Sequence, residues 1–261
     1  MDTAHHVPRI RSGTALIVGG TSGIGLETAR VLAGAGLGAV VLVGRDADRG
    51  RAAVASLEGR LDAHFVRADA ADPGEARRAV DEAVAAIGPL DFAVTSTVPT
   101  SIVLDLVHRT PVTSFAATLT GFALPPLHIT GIALEHMRAR GGGAIVNVAS
   151  DAAKVPTPGE SVIGAAMAGI VMFSRVAALE GRRDGVRVNV VTPSLVSGTP
   201  TTARVTADGF SAELFARAAR AARLGVASPT DVAEAIAFLC DERSGRTTGQ
   251  VLSVNGGVSV A

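Results

Sequence analysis

The chain contains no tyrosine and no tryptophan, one cysteine and one lysine. Without tyrosine, no phenol is available as an acid or base, and Lys154 is the sole ammonium side chain. A lone Cys240 excludes an intramolecular disulfide and a cysteine-rich metal site, so no metal is expected. Set in an apolar helical stretch, that thiol reads as buried and inert. Net charge is missing too. Lys+Arg and Asp+Glu stand at 24 each, which argues against nucleic acid or an anionic membrane held by bulk charge. No run approaches the ~18 uninterrupted apolar residues of a membrane span, and the N-terminus lacks a signal-peptide core. The expectation is a cytoplasmic protein with no membrane partner. Residues 1–12, with His5 and His6, read as a flexible tail before a single domain at 13–261.

What the chain does have is a regular alternation of short apolar runs and helical patterns. The stretch Val18-Gly19-Gly20-Thr21-Ser22-Gly23-Ile24-Gly25 follows the apolar run Thr14–Val18 and precedes Leu26–Leu32, which has helical spacing. A strand, a glycine-rich turn and a helix start together make an anion cradle. Backbone N–H groups point outward, glycines allow close approach, and the helix dipole favours negative charge. Further strands are predicted at 39–43, 63–66, 90–94, 144–148, 186–191 and 250–254, with a long irregular loop at 95–111 and a Ser/Thr/Pro/Gly-rich loop at 193–209. Helical patterns fall at 46–58, 72–87, 113–139, 160–182, 210–223 and 231–240. Pro125-Pro126 is expected to kink or interrupt the longest of them. The strands lack polar alternation, so both faces of the sheet are buried. The alternation predicts an α/β protein: a doubly wound parallel sheet of about seven strands, with helices on both faces.

Taken together, these residues resemble the short-chain dehydrogenase/reductase family from about Gly13 to Gly257, which implies a Rossmann-like domain. The glycine turn is similar to the family's T-G-x-x-x-G-x-G, with Val18 in place of its threonine. Asp69-Ala70 resembles the aspartate that contacts adenine, and Gly143–Ser150 the strand that delivers the catalytic serine. Arg187–Pro193 is similar to the strand before the nicotinamide loop, and Thr248–Gln250 with Asn255–Gly257 to the C-terminal signature. The resemblance implies dinucleotide contacts from Gly19, Thr21, Ser22, Gly23, Ile24 and Gly25. It implies others from Arg45, Asp69 and Ala70, and from Val196 and Thr199. NAD-dependent members carry an acidic side chain at the end of the second strand. Here that position is Gly44, and Arg45 follows where a guanidinium could grip a 2′-phosphate. NADP(H) is expected, with NAD(H) or no cofactor as the alternatives.

The family's proton relay is absent. Its members use a tyrosine as acid or base, a lysine four residues later, a serine and an asparagine. Ser150 matches the serine, and thirteen residues on stands Ile163, with Met167 at the lysine position. Phe122 aligns with the asparagine. Neither Ile163 nor Met167 can exchange a proton, so this chain resembles a divergent member in which standard catalysis is impossible. His128 and Asp151 are the candidate substitutes, and Lys154, Glu160 and Ser161 lie close by in sequence. The segment Thr95-Ser96-Thr97-Val98 also replaces the family's Asn-Asn-Ala-Gly.

Three functions remain open. One is an atypical oxidoreductase-family enzyme acting on a small hydrophobic molecule, or a non-redox dehydratase, isomerase or cyclase. Another is a noncatalytic subunit paired with an active relative. The third is a binding protein that reports NADP(H). The helices at 113–139 and 160–182 are the expected contact surface of a homo-oligomer or hetero-oligomer.

Overall fold

The computed structural model describes residues 6–99, 101–102, 104–206 and 209–261. β1 (Thr14–Val18) leads through the glycine turn into α1 (Gly23–Gly34). There follow β2 (Ala39–Gly44), α2 (Ala47–Ala55), β3 (Asp62–Arg67), α3 (Pro73–Ile87), β4 (Phe92–Thr95), α4 (Phe115–Arg140) and β5 (Gly143–Val148). The chain continues through α5 (Ser161–Gly181), β6 (Val186–Pro193), α6 (Pro200–Val205), α7 (Gly209–Ala221), α8 (Pro229–Cys240) and β7 (Val251–Val254). The seven strands form one sheet in the order β3-β2-β1-β4-β5-β6-β7, and every neighbouring pair is parallel.

Strand side chains alternate between the two faces, and both faces are apolar. Leu16, Val18, Val41, Ala93, Ile145 and Val188 pack against Ala79 and Val80 of α3, Ile129 and Ala133 of α4, and Ala177 of α5. Ala15, Ile17, Leu42, Val94 and Val146 face the other way, toward Ala29 and Leu32 of α1 and Ile236 of α8. Local chemistry starts the helices where the sequence marks them. Asp46 and Asp72 each accept a hydrogen bond from the backbone three residues on, and Ser228 with Asp231 closes a capping box on α8.

Three sequence expectations are corrected. Of the expected kink or interruption at Pro125 and Pro126, the interruption is absent: α4 runs unbroken from Phe115 to Arg140 with both prolines buried. Each forfeits a helical hydrogen bond, and packing of the whole element overrides that local loss. The stretch 193–209, read as a loop, contains α6, whose Thr199 cap accepts from the Thr202 amide. Part of the presumed N-terminal tail is held in place. Ile10 is 2% exposed within the core, and His6 Nε2 lies 3.1 Å from Asp91 Oδ1. His5 lies outside the described residues.

Two segments, Val112–Arg140 and Ser161–Asp184, are long and apolar enough to cross a membrane by length and composition. Here each lays one face on the sheet and on the other helix, while Leu119, Met172, Val176 and Leu179 stay exposed on the outer faces.

Candidate functional site

The strand order reverses between β1 and β4, and a cavity of about 540 Å³ opens there at the carboxyl ends of the strands. Its floor is the glycine turn. Gly19 sits at φ +80° and Gly23 at φ +52°, in the left-handed region. A Cβ at Gly19 would strike the carbonyl of Ser96, and one at Gly25 would strike the carbonyl of Gly19. Ser22 is the N-cap of α1 but makes no side-chain capping bond, so the first-turn N–H groups of α1 keep no side-chain acceptor. Gly19, Thr21, Ser22, Gly23 and Ile24 line the cavity. Gly25 does not line it. It is buried, and its missing side chain lets α1 close on the turn.

One end of the cleft is cationic. Arg45 and Arg49 line it together with Asp69 and Ala70. Arg45 is loosely engaged, 4.0 Å from Asp69 Oδ2 and 3.5 Å from the Val98 carbonyl. Arg49 donates to Asp46 Oδ2 at 3.1 Å. A Cβ at Gly44 would lie 2.8 Å from Cγ2 of Thr21, so a longer side chain at the end of β2 is excluded unless Thr21 moves. Asp69 turns its own loop by accepting from the Ala71 amide at 3.0 Å.

The opposite end is apolar. Phe122, Ile163 and Met167 belong to one buried cluster with Ala149, Ile170 and Val171, and all three line the cleft. Burying each contributes roughly 1.5–3 kcal/mol to stability, so these positions serve as packed wall. Ser150 also lines the cleft, and its Oγ accepts from the Ala152 amide at 3.2 Å, capping the turn that follows β5. Val196 and Thr199 face the glycine turn across the cavity, with Thr199 Cβ 3.7 Å from where a Gly23 side chain would begin. Behind the wall, Asn147 ties β5 to its neighbours through Thr95, Thr130 and Ser174, with separations of 2.6 to 3.3 Å.

The two proposed acid–base substitutes lie elsewhere. His128 does not line the cleft. Its Nδ1 is 3.0 Å from the Ala70 carbonyl, which can only accept, so the ring nitrogen donates and steadies the loop at the cationic end. Asp151 is buried and structural. It accepts from Asn255 Nδ2 at 2.6 Å and from Ser259 Oγ at 2.6 Å, and Lys154 Nζ lies 3.6 Å away. Asn255 belongs to the C-terminal signature, so this aspartate fastens the chain's end under the turn after Ser150.

The cleft adds Arg49 to the expected set and singles out Glu160 from the residues near Ser150. Arg49 is a second cation one helical turn beyond Arg45, and its position in the first turn of α2 was the available sequence signal. Glu160 stands at the start of α5 and lines the cleft beside Ile163 and Met167. Burial pushes its carboxyl up to about 7 from the ordinary glutamate range. Cys240, fully buried in α8, has its thiol pushed up by burial to about 12, as an inert core thiol should.

A phosphate cradle at the switch point of a seven-stranded parallel sheet defines a dinucleotide-binding class of protein. The family model described as enoyl-(acyl carrier protein) reductase matches residues 18–259. A cis-4-hydroxycyclohexanecarboxylate dehydrogenase of Sinomonas cyclohexanicum is 37% identical over 251 residues, 93% of this chain and 95% of that protein. A (2S)-[(R)-hydroxy(phenyl)methyl]succinyl-CoA dehydrogenase subunit of Thauera aromatica is 33% identical over 246 residues, 94% of each chain. The solved structure of a short-chain type dehydrogenase/reductase from Mycobacterium ulcerans superposes with a TM-score of 0.88 at 27% identity, covering 96% of this chain and 91% of that one. The chain belongs to the short-chain dehydrogenase/reductase family.

Proposed function

We propose that the cleft binds NADP(H) and a small hydrophobic molecule, and that any chemistry there proceeds without the family's tyrosine–lysine relay. The observation that carries this reading is the division of one cavity. Its glycine-turn end is open to a pyrophosphate and flanked by Arg45 and Arg49, and its other end is walled by Phe122, Ile163 and Met167. The cradle fits the cofactor: a side chain at Gly19 would strike the Ser96 carbonyl, one at Gly25 would push α1 off the turn, and Ser22 places no side-chain cap on the α1 amides. Gly19 to Ile24, with Thr199 opposite, would hold the pyrophosphate, and Arg45 and Arg49 the 2′-phosphate. The bound cofactor would supply hydride chemistry. The chain's own part is to orient ligand oxygen at Ser150 and exclude water with apolar wall.

Two outcomes follow. In calorimetric titrations NADPH should bind more tightly than NADH. Arg45→Ser should lower NADPH affinity about ten-fold, roughly 1.4 kcal/mol, while leaving NADH unchanged. Equal affinity for the two forms in the parent chain would remove the role given to Arg45. Restoring the relay as Ile163→Tyr with Met167→Lys should raise NADPH-dependent reduction of a simple ketone by about 10²-fold or more over the parent. Its near-ultraviolet spectrum and melting curve would report whether the larger side chain is tolerated in the packed cluster.

A second reading is a noncatalytic subunit, favoured by a relative of equal length that is named as a subunit of a dehydrogenase. Leu119 on α4 and Met172, Val176 and Leu179 on α5 are exposed and would form the contact face, with this chain or with an active relative. The restored double variant separates the readings. Turnover by the lone chain supports an intact reactive end, whereas silence with NADPH bound favours the subunit.

A further inference from the structure

Among the described residues, the apolar end of the cleft carries one carboxyl, Glu160. It precedes Ile163 by three residues and Met167 by seven, so the three share one stripe along α5 and face the same cavity. Glu160 occupies the N-cap position of α5, yet its side chain makes no capping bond and has no hydrogen bond or ion pair among the described residues. A half-buried carboxyl with no protein partner, aimed into a cavity of this size, is a group without a structural task.

The charged groups around it do not neutralise it. Lys154, on the turn before α5, is committed to Asp151 and to Ser253 Oγ and the Ala261 carbonyl. Arg204 of α6 also lines the cavity but makes no ion pair with Glu160. Arg45, Arg49 and Asp69 belong to the cofactor end. From α7 the neighbours are aromatic: Phe215 lines the cavity, and the ring of Phe210 fills the space beside Gly159. Burial favours the neutral acid, and the carboxyl is pushed up to about 7.

We propose that Glu160 is the ligand-recognition residue of the apolar pocket, and that its neutral carboxyl donates a hydrogen bond to the carbonyl oxygen of an uncharged, largely hydrophobic ligand. This rests on the reading that the pocket takes a hydrophobic molecule. A carbonyl is satisfied by a single donor, and a neutral carboxyl offers one with no buried charge. An ammonium brings three donors into a wall built of Phe122, Ile163, Met167 and Phe215 and would require a desolvated ion pair there.

The test uses the intact chain and two ring probes of equal size, cyclohexanone and cyclohexylamine, with binding followed by ligand-detected NMR. Cyclohexanone should bind, and its affinity should fall about ten-fold or more between pH ~6 and pH ~8.5 as Glu160 loses its proton. Glu160→Gln keeps an N–H donor and should bind cyclohexanone at both pH values alike, whereas Glu160→Leu should bind it weakly at both. The side-chain carboxyl carbon signal that disappears in Glu160→Gln should titrate near pH ~7 in the parent. Cyclohexanone binding that ignores pH, an unchanged pH profile in Glu160→Gln, a carboxyl midpoint near ~4.5, or tighter binding of cyclohexylamine each overturns the assignment of Glu160. Failure of both probes to bind at either pH overturns the hydrophobic-pocket reading itself, and this proposal with it.

Discussion

Gly25→Val should leave the protein folded but cut NADPH affinity about 100-fold, roughly 2.7 kcal/mol. The reason is steric and local. The first side-chain carbon at position 25 would strike the Gly19 carbonyl and lie 3.1 Å from Gly20 Cα, so α1 must back away from the turn. Backing away opens the cradle and withdraws the amides that would hold a pyrophosphate. Calorimetry gives the affinity, and circular dichroism establishes that the sheet is intact. Gly34→Ala is the matched control, because nothing lies within 4 Å of its added Cβ. That change should leave NADPH binding unaltered and stabilise α1 by about 0.5–1 kcal/mol. A Gly25→Val protein that binds NADPH like its parent would remove the cradle from the binding site.

The second large effect concerns stability. Arg187→Met should lower it by about 3 kcal/mol and the melting temperature by roughly 6–12 °C. The guanidinium is buried, donating from Nη1 to the Leu239 carbonyl at 2.7 Å and to Ser244 Oγ at 2.9 Å. From Nη2 it donates to the Cys240 carbonyl at 2.7 Å. Those carbonyls end α8 and have no helical partners, and a cation there also meets the negative end of the helix dipole. Burial pulls the Arg187 pKa down, while the acidic groups of Cys240 and Asp241 oppose that. Methionine fills the space but leaves the Cys240 carbonyl unsatisfied and the Leu239 carbonyl with only the Ser244 hydroxyl. Lysine should recover only part of the loss, because an ammonium cannot span both sets of acceptors as the planar fork does. Urea denaturation of the three proteins measures this, and a Met variant within about 0.5 kcal/mol of the parent would contradict it.

These two residues were not equally visible in the sequence. Gly25 belongs to a motif whose spacing announces a turn. Arg187 was legible only as part of a family-like strand, because the carbonyls it holds are more than fifty residues away. Asn189 is similar: it joins β6 to the segment before β7 through Thr247 and the Gln250 amide. Such pairings depend on which strands become neighbours, and side-chain type alone carries no record of that. His128 and Asp151 show the converse. Each has the right chemistry for an active site, and each is spent on tertiary structure, one under Ala70 and the other against Asn255 and Ser259.

By itself the sequence determined the succession of strands and helices along the chain, the glycine turn and the absence of any phenol. Each of these is a matter of local spacing or of residues that are not there: apolar runs without polar alternation, glycines at the turn, and no tyrosine anywhere. The tertiary structure decided what occupies the vacated end. It gathered Phe122, Ile163 and Met167 from α4 and α5 into one wall, carried α4 unbroken through two prolines, and left Glu160 in the cleft without a partner among the described residues. Burial and partnering are properties of a side chain's surroundings, and for these residues the surroundings come from elements far apart in the chain.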